Sequence, residues 1–298
     1  MANRDTFSGY HPMVNFLFFG LVLLFSMCLM NPVCLAVSLC SATAYHVSLN
    51  GRRAVRFGLL YMLPLLLLTA VVNPAFNHRG VTILAYLPSG NPLTLESLLY
   101  GLGAAAMLSG VLTWFACYTA VMTSDKFVYL FGRAIPALSL VLSMTLRFIP
   151  KFKRQLAAVR EAQKCVGRDV SEGSLLRRAK NGMTILSILL TWALENAIET
   201  ADSMKSRGYG LPGRTAYSIY RFDDRDRGLL LWIAVCGLYL ICGWRAKAFT
   251  FVYYPGIRYT PVTPLTFSFY LAYLLLCLTP VILDCREDMI WKKLRSSI

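Results

Sequence analysis

Residues 201–214 read ADSMKSRGYGLPGR, and the run sets one arginine where a helical pattern meets a glycine. Arg207 can extend its planar fork to grip a partner's carboxylate through two hydrogen bonds, and Tyr209 can add an amphipathic contact. An arginine at a helix end is equally explained by the helix dipole, and the local pattern leaves both readings open. Gly208-Tyr-Gly210-Leu-Pro-Gly213 satisfies G-x-G-x-x-G literally, but a dinucleotide site needs a strand before it and a helix after it. Here a helical pattern precedes and Pro212 interrupts, so the glycines read as a turn. The chain holds no G-x-x-x-x-G-K-[ST], no H-E-x-x-H and no G-x-S-x-G. Glu195, Glu199 and Asp202 share one helix face. They read as a solvated face or as partners of a basic helix, and they are the candidates if this were an enzyme site. The nine cysteines form no C-x-x-C and the histidines stand far apart. The cysteines read as small buried hydrophobes rather than a disulfide frame or zinc site, and no metal motif follows from the histidines.

The elements that must position Arg207 follow from composition. Of the 298 residues 56% are hydrophobic, mean hydropathy is +0.53, and Asp and Glu number 15 against 30 Lys and Arg. That profile excludes most soluble domains and points to an all-α, polytopic integral membrane protein with about six membrane helices and long cytoplasmic helices. Spans of about 20 apolar residues are expected at 13–30, 33–49, 57–72, 98–122, 229–244 and 264–283. The first reads as a membrane helix rather than a cleaved signal. The spans hold hardly an ionisable residue, which argues against ion-coupled transport or intramembrane catalysis. Because the basic residues are interspersed with apolar spans, the excess charge reads as cytoplasmic loops, with no nucleic-acid partner.

Arg52, Arg53 and Arg56 place the loop after the second span inside, which puts 73–97 outside. Residues 151–180 hold nine Lys and Arg against three acids. If 127–149 crossed the membrane, that basic stretch would lie outside. The segment is therefore expected to lie along the membrane or re-enter, its rival being a seventh span. Helices are expected over about 151–166 and 174–207, with a break near Gly167–Gly173. The apolar run 183–194 is too short to span and should pack on helices of the same chain or touch the membrane. The domains read as 1–126, membrane helices; 127–214, interfacial and cytoplasmic helices; and 215–298, a charged linker at 220–228, two closing spans and a charged tail. EAQKCVGRD and ADSMKSRGYG echo one another as helix ends at a glycine among basic residues.

Four stretches, taken in order, carry a resemblance: 73–102, 123–156 (TSDKFVYLFGRAIPALSLVLSMTLRFIPKFKRQL), REAQKC at 160–165 and MKSRGYG at 204–210. The chain resembles the transmembrane T component of energy-coupling-factor (ECF) transporters, a branch of ATP-driven importers that includes the cobalt-transport permease proteins. In that family two Ala-Arg-Gly motifs end cytoplasmic coupling helices, and their arginines dock on ATPase subunits. Ser206-Arg207-Gly208 matches the second motif with Ser for Ala. Cys165-Val166-Gly167 stands at the first, with Val166 in place of arginine, a departure that leaves Lys164 or Arg168 to supply a charge, or else an apolar or weaker contact. The resemblance implies a non-catalytic subunit with no cofactor of its own and ATP and Mg used by two partner ABC-type ATPases. It also implies a small membrane S component that binds a vitamin or transition-metal ion, and residence in the cell membrane of a prokaryote. A membrane enzyme and a membrane anchor for another complex are the alternatives.

Overall fold

The computed structural model describes residues 5–86, 92–132, 135–171, 173–212, 220–261 and 263–295, with the backbone alone at 136–139. Arg133, Glu172, Gly213 and Arg214 lie outside the described residues. The chain divides into two compact units, Met1–Lys126 with Tyr220–Ile298, and Phe127–Ile219.

In the first unit, polar side chains and prolines set the helix starts. Helix α1 (Pro12–Cys28) follows His11, whose Nδ1 accepts from the Met13 amide, and α2 (Pro32–Asn50) follows Asn31, whose side chain accepts from the Val33 amide. Proline at the first helical position loses no hydrogen bond, because that amide has no partner in any case. Helices α3 (Arg52–Phe57) and α4 (Leu63–Phe76) are joined through a wider π turn at Gly58–Met62 into one helix, Arg52–Phe76. The turn lies just ahead of Pro64, whose missing N–H and ring disrupt the regular ladder. Helix α5 (Leu95–Val121) starts at Thr94, whose hydroxyl accepts from the Ser97 amide. Before it, residues expected as loop form an antiparallel pair, β1 (Ile83–Tyr86) and β2 (Pro92–Thr94). Helix α6 (Ser124–Gly132) crosses from the first unit into the second.

Helix α9 (Asp224–Arg245) begins inside the stretch expected as a charged linker. Asp223 and Asp226 cap it reciprocally, so the acids there start a helix rather than fill a loop. A second small pair, β3 (Phe251–Val252) and β4 (Arg258–Tyr259), precedes α10 (Pro264–Arg295), which carries the expected charged tail as helix. Among the described residues, five helices are long and apolar enough to cross a membrane: α2, Arg52–Phe76, α5, α9 and α10. The remaining expected span, α1, has 17 residues, at the short edge of the spanning range of about 17–25.

The core of this unit gathers Val14, Phe18 and Phe25 of α1, Tyr45 of α2, Trp114 of α5, Ile233 of α9 and Tyr273 of α10. Phe7, in the short 3-10 turn Phe7–Gly9 ahead of α1, is fully buried and meets Phe18 and Tyr45 edge-on at 5.0 and 6.2 Å. Inside the core Ser38 and Ser26 hydroxyls lie 2.7 Å apart. Trp114 Nε1 donates to Ser38 at 3.1 Å, and Tyr273 lies 3.2 Å from Ser26. One polar knot thus ties α1, α2, α5 and α10 where no water is available to satisfy those groups. Gly101 lets α4 and α5 approach, since a Cβ there would sit 2.9 Å from the Ala70 carbonyl. Of the cysteines, Cys34, Cys117, Cys236 and Cys277 are buried and the other five exposed. The small-buried-hydrophobe reading therefore holds for the first four only.

The second unit is built on α7 (Pro136–Cys165) and α8 (Leu175–Ser206). Residues 127–149, expected as one interfacial element, are divided between α6 and the first half of α7. The helix expected to start near 151 begins at Pro136 instead and runs through Pro150. Pro150 is exposed, so water can serve the carbonyl its ring leaves unpaired. Helix α7 is not among the helices long and apolar enough to cross a membrane. Val159 packs against Ile185 and Leu189, with Val170 of the connecting turn beside them.

Candidate functional site

The echo seen in the sequence is an identity of geometry. Helix α7 ends with Val166 at φ −87°, ψ 6°, and α8 ends with Arg207 at φ −82°, ψ 9°. Gly167 and Gly208 follow, both at φ +75°, a left-handed conformation that costs a side-chain-bearing residue steric strain and glycine none. The Gly167 amide donates to the Lys164 carbonyl at 2.9 Å and Arg168 to Gln163 at 2.9 Å. At the other end Gly208 donates to Lys205 at 3.0 Å and Tyr209 to Met204 at 3.0 Å. These are two copies of the paired 6→1 and 5→2 closure that satisfies the last carbonyls of a helix. Val166 and Arg207 hold the same place on equivalent ends, and Arg168 corresponds to Tyr209.

The side chains at these ends face outward. Val166 is 68% exposed, and Cys165, Arg168, Ser206 and Arg207 are exposed too. Among the described residues no carboxylate pairs with Arg207, whereas Lys164 lies 3.8 Å from Asp169. Lys164 thus has a carboxylate of its own chain nearby though its side chain is 68% exposed, and Arg168 is the exposed cation just past the glycine.

Asp169 was missed as an organiser by the sequence reading. Its carboxylate accepts from the Ser171 amide at 3.1 Å, and its carbonyl accepts from Asn181 at 2.9 Å. Arg178 closes the same turn onto the Val170 carbonyl at 2.8 Å. The Ser171 hydroxyl and amide, then Lys164, hold the Asp169 carboxyl below its ordinary value of 3.8. An Asp-x-Ser spacing after a helix-ending glycine was the available signal. Ser174 caps α8 by accepting from the Arg177 amide. A cleft of about 780 Å³ opens between the helices, rimmed by Lys153, Arg160 and Arg178 over a floor of Ile185 and Leu189.

The face Glu195, Glu199, Asp202 is exposed and, among the described residues, makes no ion pair with α7. Of its two readings, the solvated face is the one found. Helix α7 meets α8 there through Lys151, which donates to Asn196 at 2.9 Å and stands 5.5 Å from the Trp192 ring. No group of three His, Cys, Asp or Glu is placed to hold a metal among the described residues. The run 183–194 is two-faced: Ile185 and Leu189 pack inward, while Met183, Leu186, Leu190 and Leu194 are exposed on one stripe.

A helical membrane unit joined in sequence to a basic two-helix unit with matched ends defines an all-α polytopic membrane protein. The family model described as cobalt transport protein, CbiQ, matches residues 7–217, and the chain belongs to that family. Curated relatives bear the name energy-coupling factor transporter transmembrane protein EcfT. That of Lactobacillus helveticus is 36% identical over 114 residues, 38% of this chain and 41% of that protein. Those of Lactococcus lactis subsp. cremoris and Brevibacillus brevis are 38% identical over 105 residues and 36% over 114, covering 40% and 42% of their lengths. The match thus spans about two fifths of each of these relatives.

Proposed function

We propose that this chain is the transmembrane coupling subunit of an ECF-type, ATP-driven importer of vitamins or transition-metal ions. Two ABC-type ATPase subunits bind and hydrolyse ATP with Mg, and each receives one end of the α7–α8 pair. Helices α7 and α8 carry the motion of those subunits to a small S component that holds the substrate in the bilayer. The chain itself performs no catalysis in this scheme, and its basic helical unit faces the cytoplasm of a prokaryotic cell. The observation that carries the reading is the repeated helix end, with its outward Val166 and Arg207, in a chain whose family match covers both copies. The exposed stripe Met183, Leu186, Leu190, Leu194 is the surface this scheme gives to the S component. A crosslink map with no S-component contact along it would remove that part.

The test is co-expression with the ATPase pair of the same genome. Wild type retains both ATPases on purification, and Arg207→Glu loses them or their coupled transport. A wild type that never retains an ATPase would overturn the reading.

A further inference from the structure

The two ends share a backbone and differ in what they present. At the first, an apolar cap residue, Val166, is followed past the glycine by the cation Arg168. At the second, the cation Arg207 is the cap residue and the aromatic Tyr209 follows. Because the dihedrals and closing hydrogen bonds coincide, corresponding side chains leave their helices in corresponding directions. Apolar and cationic groups have therefore changed places along the same scaffold. Lys164, whose side chain is 68% exposed, has Asp169 3.8 Å away, so part of its charge is offset within the chain, while among the described residues Arg168 makes no ion pair.

We infer that the ends are received by unlike surfaces: Arg207 by an acidic pocket, and Val166 by an apolar pocket whose carboxylate lies past the glycine, opposite Arg168. This rests on the docking reading above. A pocket acidic at the cap position would leave its carboxylate desolvated and unpaired against Val166. One apolar at that position would bury the Arg207 guanidinium without a partner. No single surface suits both ends, so Val166 and Arg168 determine which ATPase surface the first helix end accepts.

The experiment uses the full-length chain co-expressed with its genome's ATPase pair, measuring ATPase retained after purification in detergent. Val166→Leu keeps retention near wild type. Val166→Thr, an isostere that leaves an exposed cap unperturbed, lowers it about fivefold by carrying a hydroxyl into an apolar pocket. Val166→Arg lowers it about tenfold or more, and so does Arg168→Glu. Val166→Arg retained as well as wild type or better, with Arg207→Glu still losing the ATPases, would show an acidic first pocket. That result sinks this inference and leaves docking intact. Unchanged retention for Val166→Arg, Arg168→Glu and Arg207→Glu together would sink the docking reading itself.

Discussion

Arg207 is exposed at the last turn of α8, so replacing it changes what a partner meets and little else. Arg207→Glu is expected to abolish coupled transport. Arg207→Lys keeps the charge but loses the two-pronged geometry, and should retain an intermediate rate in the same uptake assay. Asp169 works at the same scale but inside the chain. Its carboxyl is held down in the folded state, so its stabilising contribution is complete above the ordinary value of 3.8 and is lost as pH falls through the lowered folded value. Hydrogen exchange of residues 166–171 should therefore quicken as pH is taken from about 6 to about 3 after correction for the intrinsic rate. Asp169→Asn should exchange fast throughout and flatten that profile.

At the scale of the helix, α8 has two apolar faces with different work. Leu189→Ala, inside the small α7–α8 core, should cost about 2 kcal/mol or more and loosen both helices in hydrogen exchange. Leu190→Ala, 60% exposed, should change stability by no more than about 0.5 kcal/mol and weaken S-component crosslinking instead. These elements were unequally legible in the sequence. The bounds expected for α8, 174–207, lie within a residue of Leu175–Ser206, because Ser174 and Gly208 are strong local signals at either end. The start of α7 was not legible: the helix expected over about 151–166 begins at Pro136 and carries Pro150 within it, since an exposed proline can sit within a helix. The start of α9 was hidden for a related reason, since Asp223, Asp224 and Asp226 look like linker charge until two of them are seen to cap. The end of α8 was legible from Arg207 and Gly208. The equivalence of the α7 end was legible only as an echo, because Val166 carries none of the expected chemistry and backbone dihedrals cannot be read from residue names. Asp169 was counted only as one acid among basic residues, since its role depends on a turn that brings Ser171 and Asn181 to it.

At the scale of the molecule, the first unit depends on contacts made without water. Ser38→Ala leaves Trp114 Nε1 and the Ser26 hydroxyl short of a partner and should cost about 0.6–2 kcal/mol, read as a lower melting temperature of the detergent-solubilised chain. Gly101→Val should cost more, because the nearest obstacle is the Ala70 carbonyl, which cannot rotate away. The helix Arg52–Phe76 has a wider consequence. It is the most apolar of the five spanning-length helices, and none of its apolar stretch is buried within the chain. The apolar part that follows Arg56, residues 57–76, reaches about 30 Å, which matches a hydrocarbon layer of about 30 Å. Thinner or thicker lipid therefore has to be met by tilting or by local deformation of the bilayer, against the close packing of α4 on α5 at Ala70 and Gly101. Reconstitution in a series of phosphatidylcholines of rising acyl length should show uptake that peaks at one chain length, making this protein responsive to membrane thickness as well as to its partners.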